Sequence, residues 1–160
     1  MRKKYLTILI IILITVFIIF IFASLLLRNF NVKMQGMPKY DKSMCYYSDG
    51  FQDYIDYCKY FYNEISIKEF EKHSSFKRVT EQDVENIKGY FENFSNGVVH
   101  TEYDHNYDFD ISNIKINDYY YIKDKEGQPI GESVYKKYES YDVYYVDMKN
   151  DILYFLHNNI

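Results

Sequence analysis

Residues 141–158 read YDVYYVDMKNDILYFLHN. Two runs rich in Tyr, Val, Ile, Leu and Phe, 141–148 and 152–158, flank Lys149-Asn150-Asp151. Turn residues between β-prone runs signal a hairpin. A two-residue Asn150-Asp151 turn pairs Met148 with Leu153, Val146 with Phe155 and Tyr144 with His157 on one face. A three-residue loop shifts that register by one. Side chains alternate along a strand, so the other face carries Tyr145, Asp147, Tyr154 and Leu156. Both faces hold large side chains. One is expected to pack on helices. The second is either covered or forms a partly exposed aromatic binding surface around Tyr145 and Tyr154.

Upstream of the hairpin, back to Gly97, Tyr, Val, Ile and Thr dominate and helical spacing is absent. Val98–Tyr103, Ile114–Lys123 and Val134–Tyr138 read as strands, with Gly127 to Gly131 as a loop. Before Gly97 the period changes. Val84, Ile87, Phe91 and Phe94 step by three and four along one helix face. Thr80 with Asp83 caps its start and Gly97 offers a left-handed stop. Ser66 with Glu69 is a capping-box pattern for a short helix over 67–73. Phe51, Tyr54, Ile55, Cys58, Phe61, Tyr62 and Ile65 form another three-and-four stripe, predicting a helix that starts at Ser48 or Asp49. Helices first and an antiparallel meander after them make an α+β domain over 49–160. Two to three helices are expected on one face of about four strands.

The greasiest stretch lies elsewhere. Leu6 to Leu27 carries no charge, and at ~1.5 Å rise per residue it spans ~33 Å, enough for a hydrocarbon core of ~30 Å. It reads as an uncleaved, single-pass transmembrane helix, a signal-anchor. A cleaved signal peptide needs a shorter apolar run and small residues at the cleavage site, and Ile21 or Phe22 would occupy the −3 position here. Arg2, Lys3 and Lys4, within a basic tip over 1–5, put the N-terminus in the cytoplasm and the body outside. Residues 28–48, with Gly36 and Pro38, read as a stalk.

Charge excludes one class of partner. Taking Arg2, Lys3 and Lys4 from the 19 bases leaves 16 against 23 acids, a net of −7 for the body. Such a body repels a phosphate backbone, so nucleic acid is not an expected partner. The 20 Tyr, 12 Asn and single Ala follow AT-rich codons, as in a low-GC bacterial genome. Codon bias thus accounts for much of the tyrosine, which then packs where Leu and Trp would.

Candidate sites are few. Cys45 and Cys58 are the two cysteines, and an oxidising compartment permits a bridge between them. The alternative is two free thiols, with Cys58 part of the core stripe. The richest polar cluster is residues 100–110, HTEYDHNYDFD. His100, Glu102 and Asp104 would share a strand face, and with His105 and Asp108 they could hold a divalent cation, the one cofactor considered. Asp104, Asn106 and Asp108 begin like a calcium loop. However, Phe109 replaces its turn glycine and Lys115 its bidentate Glu, so an EF-hand is excluded. The competing reading is a solvated strand face and a polar turn. His73 reads as a surface histidine and His157 as a buried, hydrogen-bonded one. No Walker loop, dinucleotide fingerprint, HExxH or GxSxG occurs.

Two function classes follow. The first is a membrane-anchored extracytoplasmic domain without catalytic activity. It would be held in the bilayer through 6–27 and bind an envelope protein or glycan. The second is a tethered metal-binding hydrolase or cation sensor using the His100–Asp110 cluster.

Overall fold

The structure, a computed structural model, describes residues 12–21, 37–47, 54–98, 106–124 and 140–159. The chain divides into two compact units, Met1–Met37 and Pro38–Ile160. In the first, residues 12–21 form a helix, α1. Its Ile, Leu, Val and Phe side chains are exposed on every side. Among the described residues no helix is long and apolar enough to cross a membrane. The remainder of the Leu6–Leu27 segment, the basic tip and most of the expected stalk lie outside the described residues.

The second unit is α+β. Its elements run β1 (Lys42–Tyr47), β2 (Tyr54–Phe61), α2 (Glu64–Ile67) continuing as a 3-10 turn (Lys68–Lys72), β3 (Lys77–Arg78), α3 (Glu81–Val98), a second 3-10 turn (Ile111–Asn113), β4 (Tyr119–Asp124), β5 (Ser140–Asp147) and β6 (Ile152–Asn159). All six strands form one antiparallel sheet in the order β1-β2-β6-β5-β4-β3. Among the described residues the sheet therefore has six strands, not about four.

The β5–β6 hairpin is in the sheet centre, with a register that differs from both expected ones. Asp147 pairs with Ile152, Val146 with Leu153 and Tyr144 with Phe155, so the loop has four residues, Met148 to Asp151. Asp147 explains the longer loop. Its Oδ1 accepts the N–H groups of Lys149 and Asn150 at 3.1 and 3.0 Å, an Asx-type turn. Asp151 closes it in the left-handed region at φ 57°. The shift from the two-residue prediction is two positions, so every side chain keeps its predicted face.

The stripe from Phe51 to Ile65 is not a helix. Its described middle is β2, an interior strand between β1 and β6. Tyr57 faces one side, Cys58 and Tyr60 the other, and all three are buried. A strand covered on both faces loses its period of two, and its apolar residues then fall at helical spacing by coincidence. Residues 42–47, expected in the stalk, are the edge strand β1. Of the other predicted strands, Ile114–Lys123 is shortened to β4. Val134–Tyr138, most of Val98–Tyr103 and the 127–131 loop lie outside the described residues.

Helical cover lies on both faces, not one. α3 packs on Tyr141, Val143 and Tyr145 of β5 and on Tyr154 and Leu156 of β6, in a core that includes Ile87, Tyr90, Phe91 and Phe94. Thr80 and Asp83 start it as predicted. Asp83 Oδ2 accepts from Thr80 N–H at 2.9 Å, and Tyr120 Oη donates to Asp83 Oδ1 at 2.8 Å. Gly97 does not stop the helix, which runs to Val98. A Cβ on Gly97 would meet Ile55 Cδ1 at 3.0 Å, so a larger residue there would have to push the end of the Ile55 side chain aside by a few tenths of an ångström. The opposite face is covered by residues 62–76. Phe70 packs edge-on against Tyr62 and Phe76, and Phe76 contacts Tyr121 and Tyr144. α2 starts at Asn63, not Ser66. The Asn63 side chain accepts Ile65 and Ser66 N–H at 3.1 and 2.9 Å.

Candidate functional site

At α3's C-terminal end the sheet carries a shallow, open cleft. Tyr46 of β1, Ile55 and Tyr57 of β2, Phe94 and Val98 of α3, and Asn106 and Tyr107 line it. Its floor follows from the register. Tyr46 pairs with Tyr57 across β1 and β2, and their rings stack at 6.3 Å with a 14° interplanar angle. Tyr107 stands edge-on to Tyr57 at 5.1 Å. Phe109 then plugs the core between Phe91, Tyr145 and Tyr154. This buried ring fixes the path of the chain and leaves Asp108 at the cleft rim.

Asp108 is the one member of the predicted cation cluster among the described residues. His100, Glu102, Asp104 and His105 lie outside them. Tyr57 Oη donates to Asp108 Oδ1 at 2.9 Å and Lys59 Nζ to Oδ2 at 2.5 Å. Partial desolvation opposes the Asp108 charge. The bonds from Lys59 and Tyr57 and the ammonium charge outweigh it and hold the carboxyl below its usual range. Burial, then the Asp108 charge, pushes the Tyr57 hydroxyl far up, so it stays a neutral donor. Lys59 is the shielded partner, with 13% of its side chain exposed against 58% for Asp108. The site therefore combines flat aromatic rings with one exposed, ion-paired carboxylate. No group of three metal-ligating side chains occurs among the described residues.

Cys45 and Cys58 are register partners on β1 and β2 and form a disulfide. Tyr145 and Tyr154 lie in the interior, 0% and 7% exposed. The Tyr145 hydroxyl accepts Lys115 N–H at 3.0 Å. Its one proton is shared between the Asn113 carbonyl, 2.9 Å away, and Asp118 Oδ2. These two rings pin the 106–118 crossing to the sheet, so they are no binding surface. The second hairpin face is covered as well.

One constellation was not anticipated. The register sets Asp56, His157, Asp142 and Lys123 in a single row across β2, β6, β5 and β4. Asp142 bonds His157 Nδ1 through one oxygen and Lys123 Nζ through the other, the latter at 2.9 Å. The hairpin alone could have suggested the His157–Asp142 half, given the four-residue loop. Nothing in the sequence brings residues 56 and 123 to it. His73, read as a surface residue, is half-buried; it packs edge-on against Phe76 and accepts Ser75 N–H at 3.3 Å.

Comparison with protein families, with curated proteins and with solved structures gives no match.

Proposed function

We propose that this chain is a membrane-anchored extracytoplasmic domain that binds an envelope partner without catalysing a reaction. The observation that carries the reading is α1. Nine apolar side chains, Ile12 to Ile14 and Val16 to Ile21, are exposed there, inside an uncharged stretch from Leu6 to Leu27. A helix apolar all round is at home in lipid, not in water. Arg2, Lys3 and Lys4 orient it by the positive-inside rule. The Cys45–Cys58 disulfide suits an oxidising compartment beyond the membrane. The partner-facing surface on this reading is the Tyr46–Tyr107 cleft with Asp108 at its rim, since Tyr145 and Tyr154 are interior.

The test is fractionation and topology of the full chain in bacterial cells. Retention in membranes through alkaline carbonate, with residues 38–160 digested by protease added outside spheroplasts, is expected. Extraction by carbonate, or a body protected from external protease, would overturn the reading.

A further inference from the structure

We propose that the Cys45–Cys58 disulfide is a redox-sensitive latch: a dithiol reductant opens it and β1 leaves the sheet, exposing the outer edge of β2. β1 has β2 as its sheet neighbour and, among the described residues, no strand beyond it. Its side chains are half-exposed or exposed along its whole length. β1 is held by one ladder of six register pairs, by the covalent bond and by the Tyr46 ring stacked on Tyr57. β2, in contrast, is anchored on its inner side by eight register pairs with β6 and by the buried Tyr57, Cys58 and Tyr60. Losing the bond weakens the outer ladder and leaves the inner one intact.

The two sulfurs differ in access. Cys58 is 0% exposed, and Cys45 is half-exposed on the edge strand. An attacking thiolate reaches Cys45 first and forms a mixed disulfide, releasing Cys58 as a thiolate that takes a proton. The second thiol of the reductant then displaces Cys45, which also ends protonated. Two electrons pass, and the reductant leaves as its own disulfide. The Cα atoms of Cys45 and Cys58 are 4.1 Å apart, which marks the antiparallel pair that exchanges no backbone hydrogen bonds. Backbone groups of Cys58, and of Asp56 and Tyr60 two residues away, therefore point to β6. Those of Tyr57 and Lys59 point to β1.

That alternation makes a specific readout. Residue-resolved hydrogen exchange would be measured on the full chain in lipid nanodiscs, with and without dithiothreitol. On reduction the amides of Lys42, Met44 and Tyr46, which face β2, and those of Tyr57 and Lys59 should exchange about 100-fold faster, the factor equivalent to the bond's loop-closure contribution. Asp56, Cys58, Tyr60 and the β5–β6 amides should keep their protection. Cys45→Ser should reproduce the pattern without reductant. A bond that resists dithiothreitol in native buffer would overturn the proposal. So would a β1 still protected after reduction or in Cys45→Ser, or loss of protection in β1 and β5–β6 together. None of these outcomes depends on which side of a membrane the domain occupies.

Discussion

Tyr144 and Tyr145 are neighbours in β5, both 0% exposed, yet they sit in cores of different construction. On the α3 face, the hydroxyls of Tyr57, Tyr120, Tyr141 and Tyr145 reach partners. Tyr145 bonds Lys115 N–H and shares its proton between Asn113 and Asp118. Tyr141 accepts from Asn93 at 2.9 Å and donates to the Tyr90 carbonyl at 3.3 Å. Tyr57 bonds Asp108 and Tyr120 bonds Asp83. On the opposite face Tyr144 lies among Phe76, Tyr121 and Phe155, and the hydroxyls of Tyr144 and Tyr62 have no partner among the described residues. The cause is what covers each face. The 106–118 crossing brings Asp108, Asp118 and the Asn113 carbonyl over that face, and α3 brings Asp83, Asn93 and the Tyr90 carbonyl. Residues 62–76 bring rings. Burial pushes Tyr141 and Tyr154 up to about 12 and Tyr144 higher still, so these hydroxyls act only in their neutral form. The difference between the faces is thus hydrogen bonding, not charge.

The largest expected effects test whether both covers belong to one cooperative structure. Phe91→Ala under α3 and Phe70→Ala under the 62–76 cover each delete a fully buried ring and should each cost ~3–5 kcal/mol. Chemical denaturation checks this. A cost at Phe70 below ~1 kcal/mol would mean that the second cover opens independently of the sheet.

Removing single hydroxyls sharpens the contrast. Tyr145→Phe strands Lys115 N–H, the Asn113 carbonyl and Asp118, and should destabilise by ~1–3 kcal/mol. Tyr144→Phe deletes an unpaired buried hydroxyl and should be neutral, or stabilising by up to ~1 kcal/mol. Thermal melts of the two variants decide it, and the reverse order would break the comparison.

The sequence discloses how these faces are composed but not how they are wired. Alternation assigns Tyr144 and Tyr145 to opposite sides whatever the loop length, and α3 is legible in the Val84–Phe94 spacing with its Thr80–Asp83 cap. The register is not legible, because it depends on the Asp147 side chain folding over its own turn. β2 is misread because burial on both faces erases the period of two, and β1 because its half-exposed edge looks like linker after Gly36 and Pro38. The second cover is misplaced more than missed: the short 67–73 helix is expected beside the others on one face, and nothing in its sequence says which side of the sheet it takes. The cleft residues come from 46–57 and 94–108, which only the β1–β2 pairing and the α3 crossing bring together. Of the cation cluster, the described part is Asp108, and its neighbours Tyr57 and Lys59 are 51 and 49 residues away in sequence.

A smaller effect concerns the start of the second cover. Asn63→Ala removes the side-chain oxygen that holds two N–H groups of α2 and should cost ~1 kcal/mol, while Asn63→Gly should cost only a few tenths. Hydrogen exchange should quicken in 64–72 and stay unchanged in α3. A loss of protection in α3 would show that the two covers are coupled through the sheet more tightly than their separate packing suggests.

The smallest effects are in the pH dependence, and the two ends of the 106–118 crossing should respond with opposite signs. Burial raises the Asp118 carboxyl above its ordinary value of 3.8. The bonds from Tyr145 and Met148 only partly offset that, and the nearby Asp147 charge adds to it. Between the ordinary and the raised value the folded state holds more protons than the unfolded one, so stability falls as pH rises through that window. Asp108 is lowered despite partial desolvation, because Lys59 and Tyr57 bond its charged form. Its contribution is present above the ordinary carboxylate value and is lost as pH falls through the folded value. Asp118→Asn should therefore flatten the decline on the rising-pH side of 3.8. Asp108→Asn should flatten the loss on the acid side. Melting temperatures across pH 2–8 for the two variants separate these outcomes. If both variants moved the same limb, the contrast between a desolvated and an ion-paired carboxylate at the two ends of one crossing would be wrong.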